Sequence, residues 1–237
     1  MAKILKEQRS LNWAFRRRAG SGLVLVGIGV MLLVLSCSIV PQTGRIRVID
    51  LVLPISGVMS ILSGVGLINK GYKFRIGAVG ERKVTKLLSN MPDDWYIFND
   101  ITVWRSQIDH IVICPKGVYT IETKNYQGTI YGNAKKREWV QVISYKRKAR
   151  FYNPVKQALR HSVTLSKYLK GRGFNVWVDT IVVFANPDVE LKVYSPDVPV
   201  LRLSELEEFF ENRKQVMKPE ECYNVSEHVR ELVYVKI

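Results

Sequence analysis

The sequence has few cysteines and a deficit of acidic residues. Its three cysteines, Cys37, Cys114 and Cys222, are odd in number and far apart, which excludes a disulfide framework and a paired-cysteine zinc site and favours a reduced, cytosolic setting for the folded part. Only 21 acidic residues oppose 36 lysines and arginines among 237 residues, so the net charge is +15 and we expect an anionic partner, either nucleic acid or a membrane surface. With 47% hydrophobic residues and nine prolines, the chain is neither low-complexity nor wholly disordered.

Charge is also missing from two long runs near the N terminus. Residues 22–40 contain no charged side chain and would span about 28 Å as a helix, close to the ~30 Å hydrocarbon core of a bilayer. Residues 48–68 carry one charge, Asp50 at the edge, and a membrane helix can accommodate Pro54. A cleaved signal peptide is disfavoured, because the first run is long, lacks a small-residue cleavage site and is followed by a second run. We therefore predict a transmembrane helical hairpin over residues 22–68, with spans 22–40 and 48–68.

The basic residues that flank these runs predict the topology. Six precede the first span, two lie between the spans and three follow the second: Lys3, Lys6, Arg9, Arg16, Arg17 and Arg18; Arg45 and Arg47; Lys70, Lys73 and Arg75. The positive-inside bias places both termini and the folded part in the cytoplasm, with residues 1–21 as a basic tail, so we expect an integral protein of the inner or plasma membrane. Ser56, Ser60 and Gly64 share one helix face that permits close helix approach, although such residues are also ordinary in membrane helices.

After residue 76 the pattern is that of an α/β protein. Helical spacing around Val84 and Leu88 comes first, and Glu81 falls on their side, where an inward carboxylate needs a partner unless it serves only the helix dipole. Further elements follow in order: strands 95–98, 107–113, 117–124, 128–131 and 139–145, a helix 154–170, strands 177–184 and 198–201, a helix opened by a Ser204–Glu207 capping box, and a helix 219–233. This order predicts a mixed sheet flanked by helices.

The candidate chemistry is concentrated in one hairpin. A tight turn at Cys114–Gly117 would place Asp109 opposite Glu122, with Lys124 on the same side of the sheet. A bulge at the turn would instead place His110 opposite Glu122, and the sequence leaves both registers open. Facing carboxylates repel each other unless a cation or proton lies between them, and such oxygen ligands suit Mg²⁺ or Mn²⁺. An ion pair with Lys124 is the simpler interpretation of so short a pattern, but an aspartate inside an apolar strand is costly without a partner.

The spacing Asp109, Glu122-x-Lys124 resembles the active-site pattern of the PD-(D/E)XK nuclease superfamily, and the wider match resembles the nuclease-related domain, NERD. The segments with this likeness occur in the family's order: Gly77-x-x-Gly80-Glu81, Ile108-Asp109-His110, Gly117-Val118-Tyr119-x-Ile121-Glu122-Thr123-Lys124-Asn125, Gly128-x-Ile130-x-Gly132, Trp139 and Asn153-Pro154-x-x-Gln157. The likeness covers residues 77–186, leaves a C-terminal strand and helices over 187–237 outside it, and implies a restriction-endonuclease-like fold. Ile108 departs from the superfamily's proline, and Gln107 stands where an acidic residue is expected.

The resemblance also implies roles for single residues. Asp109, Glu122 and the backbone carbonyl of Thr123 would hold Mg²⁺ or Mn²⁺, and the activity would be hydrolysis of phosphodiester bonds. Catalytic roles are implied for three more residues: Lys124 to position or polarise the attacking water, Glu81 to bind the metal or its water shell, and Gln157 to orient the nucleophile or a phosphate. His110 and His161 are left outside this core site because such histidines are more often structural.

A basic stretch interleaved with aromatic residues is the candidate nucleic-acid surface. Its cations are Lys135, Lys136, Arg137, Lys146, Arg147, Lys148 and Arg150. The residues after position 68 include 28 basic and 19 acidic ones, so the folded part is basic in its own right. Together with the activity that the resemblance implies, these features predict a membrane-tethered, metal-dependent nuclease whose partners are nucleic acid, DNA rather than RNA, and the lipid bilayer. Two other functions fit the same features: a nucleic-acid-binding module that does not cut, and a membrane scaffold whose basic face binds lipid.

Overall fold

The computed structural model separates the chain into a helical unit, Arg9–Ala78, and an α/β unit, Met1–Gln8 with Val79–Ile237. The structure describes residues 1–6, 10–38, 48–195 and 197–234. Ten strands are present in this part of the chain: β1 (Lys3–Lys6), β2 (Tyr96–Val103), β3 (Ser106–Cys114), β4 (Gly117–Lys124), β5 (Gly128–Asn133), β6 (Glu138–Ser144), β7 (Arg147–Tyr152), β8 (Val178–Phe184), β9 (Val189–Tyr194) and β10 (Val200–Arg202). Its α-helices are α1 (Ser10–Ser38), α2 (Val48–Ser89), α3 (Pro154–Gly171), α4 (Leu206–Glu211) and α5 (Pro219–Tyr234).

The helices α1 and α2 include the predicted spans, and both are long and apolar enough to cross a membrane. α1 begins well before residue 22, while residues 39–40 of the first predicted span and the connection 41–47 lie outside the described residues. α2 continues as one helix through the segment predicted as a separate helix around Val84, because no proline interrupts it after residue 54. Pro54 itself lies in the first two turns of α2 and does not end it.

Within the helical unit, α1 and α2 approach each other most closely at small residues. A Cβ added at Gly22 would lie 2.7 Å from the carbonyl oxygen of Gly64. The Ser60 hydroxyl donates to the carbonyl oxygen of Leu25 at 2.7 Å. Gly22 of α1 contacts Gly64 of α2, whereas the later Gly29 contacts the earlier Gly57. The two helices therefore pack antiparallel, as a hairpin. Two members of the predicted small-residue face, Ser60 and Gly64, make this contact, whereas Ser56 donates to its own helix.

This contact predicts opposite effects for two alanine substitutions in α2. Gly64→Ala is expected to destabilise the helix pair by about 1–3 kcal/mol through overpacking, because its Cβ would lie 2.6 Å from a backbone oxygen of Gly22. Gly66→Ala meets nothing within 4 Å and should stabilise α2 by up to ~1 kcal/mol through helix propensity. Thermal unfolding of the purified full chain measures both changes, and equal shifts in the two variants would contradict a close helix contact.

In the α/β unit, six strands form a mixed sheet in the order β1-β2-β3-β4-β8-β10. β2, β3 and β4 pair antiparallel, whereas β1, β8 and β10 join in parallel. Helices α3 and α5 cover one face, and α4 with the last turns of α2 covers the other. The predicted fold class, a mixed sheet flanked by helices, is confirmed.

A second sheet of four strands, in the order β7-β6-β5-β9, accompanies the first. Glycines of the predicted Gly-x-Ile-x-Gly segment permit its packing. Gly128 has φ +80°, and a Cβ there would lie 2.4 Å from the Val142 carbonyl oxygen. A Cβ at Gly132 would lie 2.4 Å from the indole ring of Trp139, which is fully buried. Sequence patterns alone did not reveal β1, β7 or β9. In the case of β7 the reason is that the strand is almost entirely exposed and shows no apolar alternation.

The predicted capping box at Ser204 and Glu207 is wrong. The backbone N–H of Arg202 donates to Glu205 Oε2 at 2.8 Å, and residues 203–205 form a 3-10 turn before α4 begins at Leu206. The Arg202 guanidinium also pairs with Glu205 at 2.5 Å, so the cap forms two residues earlier than the Ser-x-x-Glu pattern suggested.

Candidate active site

Three acidic residues lie in a row across β2, β3 and β4. β3 and β4 pair in the first of the two predicted registers, and their last pair, His110 with Ile121, makes Asp109 and Glu122 the next facing positions. In β2 and β3 the pairs on either side of Asp100 and Asp109 form, so these two residues also occupy facing positions. The row therefore reads Asp100, Asp109, Glu122, and the first of these was not predicted.

The regular pleat of β2 is interrupted at the start of this row. Asp100 has φ +57°, a left-handed conformation that is uncommon for any residue other than glycine. In a regular strand every second residue faces the same side of the sheet. The apolar residues that face α3 and α5 break this alternation here, because three positions instead of two separate Phe98 from Ile101 in β2 and Ile108 from Ile111 in β3. This interruption sets the acidic residues apart from the apolar alternation on either side of them.

Asp109 is held by the backbone of β4. Its Oδ2 accepts a hydrogen bond from the Thr123 backbone N–H at 2.8 Å. Burial, together with the nearby Glu122 carboxylate, nevertheless raises the pKa of Asp109 to about 8. Burial, followed by the charges of Asp109 and Asp100, raises the pKa of Glu81 to about 9. Metal-free, this site therefore favours protons on two of its acids at neutral pH.

Glu81 reaches this site from α2, past the end of the predicted span. The side chain is only 8% exposed, which agrees with the predicted inward orientation. A Cβ added at the preceding Gly80 would lie 2.6 Å from Cβ of Asn125, so glycine permits α2 to approach the end of β4. This close approach explains why glycine immediately precedes the acid.

Lys124 lies between Glu122 and Gln157, two of the other residues with predicted roles in the site. Lys124 Nζ lies 2.5 Å from Glu122 Oε1 and donates to Gln157 Oε1 at 3.2 Å. Burial alone would lower the pKa of Lys124, but the Glu122 carboxylate outweighs it and the pKa is raised. Burial likewise opposes ionisation of Glu122, yet Lys124 and His161 lower its pKa. The lysine is therefore an ammonium and Glu122 a carboxylate.

His161 is a member of the site that sequence reasoning left out. It lies one helical turn after Gln157 on α3, and its Nδ1 is 3.2 Å from Glu122 Oε2. Both side chains are buried, with exposures of 4% and 1%. The i, i+4 spacing of Gln157 and His161 was the available signal, because such residues share a helix face.

His110 contacts a side chain on each neighbouring strand. Its Nδ1 lies 2.7 Å from Asn99 Oδ1 and its Nε2 lies 3.1 Å from Thr123 Oγ1. Complete burial lowers its pKa to about 3, so the ring is neutral. His110 thus connects β2 to β4 beneath the acidic row.

Gln107, which stands where an acid was expected, serves the unpredicted acid. Its Nε2 donates to Asp100 Oδ1 at 2.5 Å. A carboxylate at position 107 would repel Asp100, whereas the amide donates to it. The sequence therefore places the acid on β2 and its neutral partner on β3.

The donor set fits a hard divalent cation, although it is not preassembled. Among the residues that the structure describes, no three Asp, Glu, His or Cys side chains are grouped to hold a metal ion. Lys124 occupies one oxygen of Glu122, and the other, Oε2, is within ion-pair distance of His161 but accepts no hydrogen bond from a described residue. A buried carboxylate oxygen without a hydrogen-bond donor, beside acids with raised pKa, is a suitable ligand for Mg²⁺ or Mn²⁺.

The predicted nucleic-acid surface is divided by β6. All seven cations are exposed. Residues 135–137 lie in the β5–β6 loop at one end of β6, whereas 146–148 lie at the β6–β7 turn at the other end, a separation of roughly 20 Å for a strand of this length. Arg150 lies between them on β7, opposite Val140. The second sheet thus presents two basic clusters joined by an exposed edge strand.

Comparisons with known proteins point to one family. The sequence profile of the nuclease-related domain, NERD, matches residues 76–185. An uncharacterized protein of Bacillus anthracis is 42% identical over 91 residues, which cover 36% of this chain and 42% of that protein, so the chain spans about two fifths of the length of this curated relative. The crystal structure of a Vibrio cholerae protein aligns with 95% of this chain and with 57% of the Vibrio chain. The TM-score is 0.20 and the sequence identity is 10%, so the two structures are not similar enough to indicate a shared fold.

The matched region includes each of the elements that build the site. It contains the last turns of α2 with Glu81, the β3–β4 hairpin with the facing acids, and the first turns of α3 with Gln157. Residues 76–185 therefore match the nuclease-related domain, NERD.

Proposed function

We propose that the chain is a membrane-tethered, metal-dependent nuclease that hydrolyses phosphodiester bonds, with DNA as its substrate. The observation that supports this most strongly is the convergence of Asp109, Glu122 and Lys124 with Gln157 on one side of the sheet. Phosphodiester hydrolysis needs a cation near the phosphate, a positioned water and stabilisation of developing negative charge. The acidic row, the ammonium and the amide are of the types that meet these needs.

Asp109, Glu122 and the Thr123 carbonyl would hold Mg²⁺ or Mn²⁺, which would supply an activated water and offset charge on the phosphate. Lys124 is charged, so it acts as a donor that positions the water or a phosphate oxygen rather than as a base. Gln157 accepts from Lys124 through Oε1, which leaves its NH₂ group for a phosphate oxygen. Glu81, with its raised pKa, can retain a proton and donate it in a hydrogen bond.

Exposed cations would bring the polyanion to this site. The two basic clusters of the second sheet provide phosphate contacts at both ends of β6. The helices α1 and α2 would anchor the protein in the membrane, with both termini and the nuclease-related domain in the cytoplasm. The basic residues before residue 69 would thus set the membrane topology, and those after it would attract the substrate.

Cleavage by the purified full chain tests the proposal. In detergent with Mg²⁺ or Mn²⁺, the wild type should cut labelled DNA, and Lys124→Ala should lower the rate about a hundredfold or more. Lys167→Ala, an exposed lysine on α3, is the matched control and should leave the rate unchanged. Salt-sensitive DNA binding without turnover would identify a non-cutting module, and binding to anionic lipid alone would identify a scaffold. Either result overturns the nuclease proposal.

Metal uptake is expected to strengthen as the pH rises. The raised pKa of Asp109, about 8, means that a metal bound by this carboxylate must displace its proton at pH 6.5. For each proton released, the Kd for Mn²⁺ should fall about tenfold per pH unit between pH 6.5 and 8. Isothermal titration with Mn²⁺ in buffers of different ionisation enthalpy measures affinity and proton release together. A Kd that does not change with pH would contradict the assignment of Asp109 as a metal ligand.

A further inference from the structure

The turn that joins β2 to β3 places an aromatic residue in a strained conformation. Val103 and Ser106 form the last pair of this hairpin, so Trp104 and Arg105 are its two-residue turn. Trp104 has φ +52°. In two-residue hairpin turns a position with positive φ normally holds glycine, asparagine or aspartate, and a bulky residue there is an outlier. Strain of this kind in a native structure points to a function.

Core packing does not account for the choice of tryptophan. The Trp104 side chain is 57% exposed, whereas its neighbour Val103 is fully buried. Arg105 is exposed as well. The tip of the hairpin therefore presents a large ring and a cation to solvent, at a position where glycine would satisfy the backbone.

The same hairpin contributes to the candidate active site. Pairing of β3 with β4 ends at His110, and residues 106–108 of β3 pair with β2 alone, so they form a projecting arm. Asp109 is at the base of this arm and Trp104 is at its tip. Five residues of strand separate them, roughly 17 Å, a distance that about five stacked nucleotides of one strand would span.

We propose that Trp104 is a stacking platform for an unpaired base of the substrate, with Arg105 beside an adjacent phosphate. This inference rests on the proposed nuclease function and specifies its substrate as single-stranded nucleic acid. In a duplex the faces of the bases are covered by their neighbours, whereas an unpaired base offers its face to an aromatic ring.

Binding measured without turnover tests this inference. The full chain in detergent with EDTA is titrated with a fluorescent single-stranded oligothymidylate and with a duplex of equal length. Trp104→Gly should weaken single-strand binding about tenfold or more and duplex binding less than about twofold. Trp104→Phe should retain most of the single-strand affinity because it keeps a stacking ring. The thermal midpoint of Trp104→Gly should be unchanged or raised, because glycine accepts positive φ.

The matched control is Trp177→Gly. Trp177 is 81% exposed and precedes β8, whose first residue, Val178, pairs with Val118 at the end of β4 remote from Lys124. Its loss should leave both affinities unchanged. A comparable loss of single-strand binding in this variant would overturn the role of Trp104.

Other outcomes separate this inference from the proposed function. If the chain never cuts but Trp104→Gly still loses single-strand binding selectively, the nuclease proposal fails and this inference stands. If the wild type cuts and Trp104→Gly binds single strands equally well, only this inference fails. Absence of any nucleic-acid binding by the wild type overturns both. A Trp104-dependent fluorescence shift on anionic-lipid nanodiscs that oligonucleotide does not alter would assign the ring to lipid and overturn it too.

Discussion

Asp109→Asn is expected to lower metal-dependent cleavage about a thousandfold while it leaves the domain folded and more heat-stable at pH 8. The amide keeps the shape of the side chain, and its oxygen can still accept from the Thr123 backbone N–H. What it loses is the negative charge opposite Glu122 that a cation requires. Activity and stability should therefore change in opposite directions.

The sign of the stability change follows from the raised pKa of Asp109. Unfolded aspartate ionises near pH 4, whereas the folded residue keeps its proton until about pH 8 because of burial and the Glu122 charge. The group therefore costs stability progressively as the pH rises from about 4 to about 8, and asparagine removes this cost. The gain in thermal midpoint should be small at pH 4 and largest at pH 8 and above.

Two measurements check this prediction. Cleavage rates of wild type and variant are compared with Mn²⁺, and thermal unfolding is followed without metal at several pH values. Asp188→Asn, at an exposed position, is the control and should change neither quantity. A variant that cuts normally would exclude Asp109 as a ligand, and one that unfolds would indicate that the carboxylate is structural.

Asn153→Ala is expected to lower the free energy of unfolding by about 3 kcal/mol. The fully buried side chain caps α3, because its Oδ1 accepts from the backbone N–H of Val155 at 2.9 Å. Its Nδ2 donates to three carbonyl oxygens of the β5–β6 loop, those of Asn133, Ala134 and Lys136, at 2.7–3.2 Å. Alanine would leave the helix end uncapped and would remove the Asn153 donor from all three carbonyls, of which that of Asn133 still accepts from Trp139 Nε1.

A second variant separates the two contributions of Asn153. Asn153→Ser keeps an oxygen that can cap the helix but removes the amide donor, so it should lose less stability than alanine. Chemical unfolding of the full chain, followed by a probe of the α/β unit, gives the free energies. Asn175→Ala, at an exposed position after α3, should change stability by less than ~0.5 kcal/mol. If Asn153→Ala is equally mild, the carbonyl contacts do not stabilise the domain.

Local signals predicted the centre of the site. A turn sequence and strand periodicity reduced the residue opposite Glu122 to Asp109 or His110, and the register in the structure is the one that faces Glu122 with Asp109. The choice between two turn types was not readable, because both fit Pro-Lys-Gly. The contact of His161 with Glu122 joins residues far apart in the chain and depends on how α3 packs on the sheet, which no local pattern encodes.

Asp100 shows a different limit of sequence reasoning. An aspartate between Asn99 and Ile101 resembles the end of a strand, and strand periodicity predicted that the strand stops at Phe98. The structure instead continues β2 to Val103 through a residue with positive φ. The interrupted alternation of apolar residues in β2 was visible in the sequence. Its significance became clear only from the structure, where the alternation in β3 is interrupted at the facing position.

The basic edge strand β7 also affects how copies of the chain meet. Its outer backbone groups have no neighbouring strand within the described sheet, so they could pair with the same edge of another molecule. Arg147, Lys148 and Arg150 oppose that pairing by mutual repulsion, and repulsion weakens when salt or a bound polyanion neutralises them. Colloidal solubility of the protein is thus coupled to its charge state, and concentrated samples should be kept at low ionic strength, free of nucleic acid.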